Sequence, residues 1–418
     1  MMLWMAMLCV CSFAVLEHGS VSLPIFSAIK KPLLYAGGLC ILTQTDVLLK
    51  NIFKKRFFYV VLVLASLCVM LMLSMEINKG IVTAYSTMST KRLMLYLVEL
   101  FALMILLTEA GWSWYVIDFM YGYYLLLVLV TDVLMLTGII RFISGIYENY
   151  LIGTKFSVCY AHMNLITLGM IKYMKDRNVI TVPWWLNCVA AIIMVYVSLH
   201  VDCMTGVVGS VVLVMLNGWK NETRAEKERV LMSPSVFLMC LLGCFAFPFL
   251  IEGITNLPFV KYLVQNVLGR SMDLTGRVNI YQDFLDKMKG HWLLGFGYGS
   301  ANTMSMKFFG YANAQNALLS WFQQCGILGT SLLITLFTVV INALNRCEID
   351  RVSSIRPLLV LIYVYIFLGT IETTFSMSFI LWFAVLFMWI NSREDEAHMQ
   401  EKQKSTPHLT TYIKISRN

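Results

Sequence analysis

The sequence has few charged residues, and this scarcity limits the classes of protein that it can encode. Only 13% of its 418 residues are Asp, Glu, Lys or Arg, whereas soluble domains contain about 25%. Hydrophobic residues make up 59% and the mean hydropathy is +0.72, so a soluble fold would expose too much apolar surface. A soluble globular enzyme is therefore excluded, and the hydrophobic residues suffice for about twelve membrane-spanning helices of roughly 20 residues each.

Cysteine clusters and targeting features are also scarce. Most of the 11 cysteines are scattered singly and none lies between Glu252 and Ala314, which argues against a disulfide framework outside the membrane. No CxxC pair has histidine partners, so we expect no metal site and no cofactor. The first apolar run, 3–16, has no basic residue before it and is interpreted as a short first span rather than a signal peptide. A truncated or misassigned start is the alternative.

Long apolar runs are what the sequence does contain. Only helices or closed barrels can cross lipid, and these runs do not alternate as barrel strands do. We therefore predict an all-α polytopic membrane protein with about twelve transmembrane helices and a long outer loop between spans nine and ten. The predicted spans are 3–16, 33–49, 57–75, 93–108, 119–137, 156–171, 182–200, 202–219, 234–250, 316–343, 356–371 and 375–391.

The basic residues predict the orientation of these spans. With both termini in the cytoplasm, the cytoplasmic segments carry 19 Lys and Arg and the short outer loops carry 7, as the positive-inside rule requires. The net charge of +8 is thereby explained without nucleic-acid binding. The inner loop 108–118, which has no basic residue, is the anomaly. The predicted parts are a bundle of spans one to nine, an outer loop, spans ten to twelve and a cytoplasmic tail, at 1–250, 251–313, 314–391 and 392–418.

The outer loop 251–313 is long for a chain whose other loops are short, and such loops are usually functional. An apolar stripe over 259–267 predicts a helix on the membrane surface, and a second helix is predicted from Arg277 to Lys289. The motif Gly295-Phe-Gly297-Tyr-Gly299 lacks the strand and helix that flank a nucleotide fingerprint. A tight turn that passes close to a helix is favoured over a phosphate cradle.

Four short motifs follow one another in and after this loop: Leu274-Thr-Gly-Arg277, His291-Trp-Leu-Leu-Gly-Phe-Gly-Tyr-Gly299, Asn313-Ala-Gln-Asn316 and Cys325-Gly-Ile-Leu-Gly329. In this order and spacing, over about 270–330, the chain resembles the O-antigen polymerase and ligase superfamily, which includes the Wzy-type polysaccharide polymerases. The resemblance implies a glycosyltransferase of the bacterial cytoplasmic membrane that joins polyprenyl-diphosphate-linked oligosaccharides on the outer face without metal or nucleotide sugar. It further implies membrane lipids, a flippase and a chain-length regulator as partners.

A diphosphate leaving group requires cations where negative charge develops, and Arg binds phosphate oxygens in pairs. The resemblance places the Thr-Gly-Arg motif of the family on Arg277, with Arg270 as the second candidate, and Arg141 and Lys155 would complete a basic cavity. Each of these cations could instead be interfacial and extend toward lipid headgroups. His291 is a candidate base, although its place in the motif is usually a turn position.

Gln315 stands where ligase relatives carry histidine. Glutamine cannot act as a base, so polymerase is favoured over ligase, and Gln315 would orient an acceptor hydroxyl. The other candidates for substrate binding, among which the aromatic side chains would stack on sugar rings, are Asn316, Trp292, Tyr298, Gly295 and Gly297.

A transporter, for instance a flippase of the same lipid-linked glycans, is the rival from a different class. About twelve spans suit it equally, but the sequence indicates neither the internal repeats nor the interrupted mid-membrane helices that are typical of transporters. Charges within spans are costly and invite functional hypotheses. Glu99 and Asp132 either pair with polar neighbours or line a path for glycan or ions, whereas His162 is interpreted as a packing residue.

Overall fold

The chain folds into a bundle of helices, seen in a computed structural model that describes residues 24–81, 84–138, 142–144, 147–179, 181–218, 229–255, 257–262, 265–266, 277–311 and 313–392. The elements, in chain order, are α1 (Pro24–Thr43), α2 (Thr45–Ile52), α3 (Lys55–Ile77), α4 (Ala84–Glu109), α5 (Ser113–Leu136), β1 (Phe142–Ser144), β2 (Tyr147–Tyr150), β3 (Gly153–Thr154), α6 (Lys155–Asp176), α7 (Trp184–His200), α8 (Met204–Gly218), α9 (Pro234–Thr255), α10 (Pro258–Tyr262), α11 (Arg277–Lys287), α12 (Ala301–Phe309), α13 (Ala317–Leu344), α14 (Ile349–Leu368) and α15 (Met377–Asn391).

The helices have the composition that the sequence predicted. In the described residues, α3, α5 and α13 are long and apolar enough to cross a membrane, and the bent pair α1–α2 makes a fourth if it counts as one span. Each predicted run from 57–75 onward falls mainly on one helix, and the run 33–49 is divided between α1 and α2. The first run, 3–16, lies outside the described residues. The prediction of a helical membrane protein is confirmed at this level.

Two features depart from the predicted bundle of continuous helices. Residues 142–154 contain a short antiparallel sheet in the order β1–β2–β3, so the chain is not purely helical. The expectation that no helix is interrupted was also wrong. Helix α13 breaks at Gly326, whose φ of 62° and ψ of −168° are not helical, and α1 and α2 meet at 73°. Apolar periodicity did not reveal these breaks, because the runs as a whole are apolar enough to be taken for continuous helices.

The core surrounds the last helix, α15. Every side chain from Ser378 to Asn391 is buried, so this helix is apolar on all faces, as a helix enclosed by other helices must be. Trp382 and Trp389 are among the largest fully buried side chains. By contrast, α5 leaves Leu126, Leu129 and other large apolar side chains exposed, the pattern of a helix that faces lipid.

The end of the bundle that holds the junction of α2 and α3, hereafter the opposite end, is rich in ion pairs. Glu109 of α4 pairs with Lys54 and Arg56, and Asp118 of α5 pairs with Lys172 and Lys175 of α6 at 3.3 and 3.0 Å. These contacts explain why the segment 108–118 lies at this end although it has no basic residue. Its carboxylates pair with the lysines and the arginine of the neighbouring helices.

Candidate functional site

The segment 277–316, which carries most of the sequence motifs, is folded onto the end of the bundle away from these ion pairs, hereafter the loop end. Its predicted helix is α11 (Arg277–Lys287), and Gly290, with φ of 84°, follows it as the predicted stop. One face of α11 is buried with Phe296 and Phe322 in a separate apolar cluster. The segment is thus a packed part of the molecule at this end.

The residues from His291 to Gly299, hereafter the glycine loop, bond to the break in α13. The amide N–H groups of Phe296 and Gly297 donate at 2.9 Å to the carbonyls of Gln323 and Gln324, which precede the break. Beyond it, the N–H groups of Ile327 and Leu328 donate to the carbonyls of Trp292 and Leu293 at 2.8 and 3.2 Å. The loop therefore supplies partners for two carbonyls and two N–H groups that a helix break would otherwise leave unpaired.

Two glycines permit this contact between backbones. A Cβ on Gly295 would lie 2.5 Å from the carbonyl carbon of Gln324, and one on Gly326 would collide with the backbone of Leu293. Both residues also have positive φ, of 65° and 62°, which glycine adopts without strain. The predicted close approach of the loop to a helix is confirmed.

The amides of the three glycines in the glycine loop are already engaged. Besides those bonded to α13, the N–H of Gly295 donates to the carbonyl of His291 at 2.8 Å, and the N–H of Gly299 donates to the side chain of Gln324 at 2.8 Å. A phosphate cradle requires several free N–H groups that point at the ligand. In this conformation Gly295 and Gly297 serve the packing of the loop.

Side chains from α3 and α4 also hold the glycine loop. Ser74 donates to the carbonyl of Leu294 at 2.6 Å, and Asn78 donates to that of Gly295 at 3.1 Å. Thr90 donates to the carbonyl of Tyr298 at 3.0 Å. Sequence reasoning missed these anchors, because single polar residues near span ends give no signal of a partner some 200 residues away in the chain.

Asn316 connects three parts of the loop end. Its side-chain oxygen accepts from the N–H of Leu319 at 2.9 Å and so caps α13. Its amide group donates to the carbonyls of Cys244 and Thr370 at 2.8 and 3.0 Å. Asn316 is fully buried. The residue predicted to bind substrate is thus a structural junction between α9, α13 and the turn after α14.

Gln315 lies beside this junction in a left-handed backbone conformation, with φ of 52°. Its N–H donates to the side chain of Asn313 at 2.9 Å, and its carbonyl accepts from the hydroxyl of Tyr281 at 2.7 Å. This bond, together with the contact of Phe284 with Phe322, attaches the middle of α11 to the start of α13. The side chain of Gln315 is half-buried.

The same end also holds a set of charged and polar residues from three other segments, hereafter the charged seam: Lys155, Asp202, Thr205 and Glu372. Lys155 of α6 donates to the backbone carbonyl of Asp202 at 2.7 Å and lies 3.5 Å from its carboxylate. Thr205 of α8 donates to the carboxylate of Glu372 at 3.5 Å. Glu372 follows the turn to which Asn316 is bonded, so the seam is continuous with the start of α13. Sequence reasoning singled out Lys155 but not Glu372.

The aromatic candidates stand at the edge of the glycine loop. Trp292 is exposed, and its ring centroid lies 5.6 Å from that of Phe322. The ring of Tyr298 lies 5.5 Å from that of Trp321 and is half-buried. The ring of His291 packs on Phe296 at 4.2 Å. Trp292 and His291 thus keep part of their surface accessible.

The other predicted cations cannot be placed as side chains. Arg141 and Arg270 lie outside the described residues, and only the backbone of Arg277 is described. Within the described part of the chain, no group of three or more His, Cys, Asp or Glu side chains could hold a metal ion, and no disulfide joins any of the nine cysteines found there.

A second polar group lies within the bundle. His162 of α6 approaches the carboxylate of Asp132 in α5 at 3.1 Å, and its other ring nitrogen bonds to the carbonyl of Val158 at 2.8 Å. A carbonyl can only accept, so Nδ1 carries a proton and the contact with Asp132 holds another. The reading of His162 as a packing residue is incomplete, because the structure pairs it with one of the two charges predicted within spans. The other, Glu99, is buried on α4.

Comparison of the chain with models of protein families gives no match. Comparison with curated proteins gives none either.

Proposed function

We propose that the protein is a polysaccharide polymerase of the bacterial cytoplasmic membrane, with about twelve spans and both termini in the cytoplasm. It would transfer a glycan from one polyprenyl diphosphate to a sugar hydroxyl of another lipid-linked repeat unit on the outer face. One observation carries the proposal. The motif-bearing segment 277–316 is bonded to the bundle through Asn316 and the glycine loop, and the same junction leads to Lys155 and Glu372. Residues far apart in sequence thereby share one end of the molecule.

The chemistry assigned to this end requires stabilisation of a diphosphate leaving group. Arg277 at the start of α11 is the first choice, because the Thr-Gly-Arg motif falls on it and the hydroxyl of Tyr281, one turn later in the same helix, donates to the carbonyl of Gln315. Arg270, Arg141 and Lys155 are the supporting cations. A guanidinium contributes two parallel N–H bonds to phosphate oxygens and keeps its charge at all physiological pH values.

The test uses purified full-length protein in lipid bilayers with lipid-linked repeat units. Arg277→Ala should lower the rate of chain growth by about 100-fold or more, the usual cost of removing one group that stabilises developing charge. Arg270→Ala should cost less, and Arg277→Lys should recover part of the rate by restoring the charge without the planar fork. Unchanged chain growth in both alanine variants would reject this site assignment.

A transporter for lipid-linked glycans is the second candidate, and the structure adds two observations in its favour. Helix α13 is interrupted, as helices of many transporters are, and Asp132 pairs with His162 inside the bundle, as in proton relays. Against this, the backbone groups at the break are bonded to the glycine loop, whereas a transporter uses such groups to coordinate its ion or substrate. A ligase is disfavoured by Gln315.

Reconstituted protein distinguishes the two candidates. A polymerase lengthens glycans that already face the outer leaflet, and Asp132→Asn should leave its rate within about twofold. A flippase moves lipid-linked glycans between leaflets without lengthening them, and loss of the intramembrane carboxylate should abolish that movement if it is coupled to protons. Movement without lengthening would replace the proposed function with the rival.

A further inference from the structure

Two buried cysteines meet at one serine at the loop end. Cys159 lies on α6, one turn after Lys155, and Cys203 lies in the turn between α7 and α8. The thiol of Cys159 is 3.4 Å from the hydroxyl of Ser198, whose backbone carbonyl accepts from the N–H of Cys203 at 2.8 Å. The two thiols are also hydrogen-bonded to each other. The pair therefore connects two segments that are well separated in the chain.

The start of α8 encloses the thiol of Cys159 from a third side. Gly206 has no side chain, and a Cβ there would collide with the sulfur of Cys159 and lie 2.7 Å from the hydroxyl oxygen of Ser198. Cys159 and Cys203 are each 2% exposed. Burial this complete disfavours a bond to another protein molecule and leaves the neighbouring thiol as the partner within reach.

The cysteine pair lies next to the charged seam. Lys155 donates to the backbone carbonyl of Asp202, the residue before Cys203, at 2.7 Å. Helix α6 therefore contacts the turn between α7 and α8 at two successive levels, once through Lys155 and once through Cys159. In the proposed orientation this end faces the outside of the cytoplasmic membrane, where disulfides form and persist.

We infer that Cys159 and Cys203 form a disulfide that fastens α6 to the turn between α7 and α8. The inference rests on the proposed function only for the orientation of the loop end. The structure shows the pair in its reduced form. Thiols that are already in contact need only a small approach to reach the S–S bond length of about 2.0 Å.

The oxidation requires a second disulfide as the oxidant, which a thiol oxidase of the outer compartment supplies. Each of the two thiols loses a proton and an electron, and a bond forms between their sulfur atoms. The oxidant takes up the two electrons and two protons, so that its own S–S bond breaks into two thiols. The linked protein is lighter than the reduced protein by two hydrogen atoms.

The experiment determines the state of the two thiols in cells that express the full-length protein. The cells are precipitated in acid, the free thiols are alkylated with N-ethylmaleimide under denaturing conditions, and the digested protein is examined by mass spectrometry without reduction. We expect a linked peptide that joins positions 159 and 203, and its loss after treatment with a phosphine reductant. Alkylation of both cysteines in the wild type, or linkage of either one to a different cysteine, would overturn the inference.

Cysteine variants provide the controls. Cys159→Ser and Cys203→Ser should each lose the linked peptide and leave the other cysteine alkylated. Cys188→Ser removes an exposed thiol of α7 and should retain the linkage. If Cys188→Ser abolished the linkage between positions 159 and 203, the pairing would be wrong.

Thermal unfolding tests whether the bond fastens the two segments. A disulfide stabilises a fold mainly by restricting the unfolded chain, so the oxidised wild type should unfold about 5 °C or more above the reduced wild type. Equal unfolding temperatures would contradict the fastening role.

The outcomes separate this inference from the proposed function. Chain growth by a protein in which both thiols are alkylated would reject the disulfide and leave the polymerase standing. A linked protein that lengthens no glycan would reject the polymerase and leave the disulfide standing.

Discussion

At the opposite end of the bundle, cations pair with carboxylates of neighbouring helices, whereas at the loop end neutral side chains bind backbone carbonyls. Glu109 and Asp118 engage four cations at the former. Ser74, Asn78 and Asn316 make the joining contacts at the latter. The loop end also has ion pairs, such as Lys155 with Asp202 and Lys289 with Asp286, but at least one partner of each is largely exposed. The contacts that hold the glycine loop and the start of α13 are made by neutral side chains, whereas partly buried ion pairs join the helices of the opposite end.

The contact between the glycine loop and the break in α13 should be the most sensitive part of the loop end. Gly326→Ala and Gly295→Ala each force a side chain into a backbone at positive φ. We expect each to destabilise the protein by about 3 kcal/mol or more, from left-handed strain and overpacking together. The measurement is the yield and thermal unfolding of the protein in detergent.

Gly243 in α9 is the matched control, since a Cβ there meets nothing within 4 Å. Gly243→Ala should be neutral or stabilising, because alanine is the better helix former by about 1 kcal/mol. If the alanine variants at positions 295 and 326 were as stable as this control, the close contact of the two backbones would be disproved.

The second prediction tests the neutral contacts of the loop end directly. Asn316→Ala removes one helix cap and two bonds to carbonyls, and we expect a loss of about 2–4 kcal/mol. Asn217 offers the comparison, because its amide bonds only to the carbonyl of Leu213 within its own helix among the contacts resolved. Asn217→Ala should change the unfolding free energy by about 0.5 kcal/mol or less. Equal losses at the two positions would contradict the role of Asn316 as a junction.

The smallest effects are expected from the charges at the opposite end. Glu109→Gln breaks the partly buried contacts with Lys54 and Arg56 and should cost about 1–2 kcal/mol. Asp118→Asn, whose lysine partners are about one-third exposed, should cost about 1 kcal/mol or less. Both losses should shrink in high salt, which screens the pairs, whereas the loss in Asn316→Ala should not. Thermal unfolding at low and high salt would therefore test whether charged contacts stabilise the opposite end and neutral contacts stabilise the loop end.

Sequence patterns were most informative where one physical effect dominates. Apolar runs predicted the helices from 33–49 to 375–391, because every lipid-facing or buried helix must be apolar over most of its length. The helix predicted from Arg277 to Lys289, which the structure shows over Arg277–Lys287, and its stop at Gly290 followed from the same local rules. The close approach of the glycine loop to a helix was also predicted, since glycine has no Cβ and lets two backbones come close together.

Other features depend on which helices become neighbours. The break at Gly326 was not predicted, because its stability depends on hydrogen bonds to Trp292 and Phe296 of the glycine loop, which local sequence does not show. The pairing of Asp132 with His162 depends on how two consecutive helices pack, and the position of Glu372 beside Thr205 joins segments 167 residues apart. Asn316, which was chosen from a motif, lies at the loop end with the other motif residues, but its side chain serves packing and not substrate binding in this structure.

The sequence by itself determined that the chain is a bundle of apolar helices, because hydrophobicity and helical period are local properties that survive any arrangement of neighbours. It also determined that a long segment before Asn316 interrupts those helices. Only the tertiary structure decided which contacts join the helices at each end, namely ion pairs at the opposite end and neutral side chains at the loop end. The reason is that these contacts join helices whose adjacency is set by packing. The surroundings of Glu372 were likewise decided by the tertiary structure, since its neighbours Asn316 and Thr205 lie about 56 and 167 residues away along the chain.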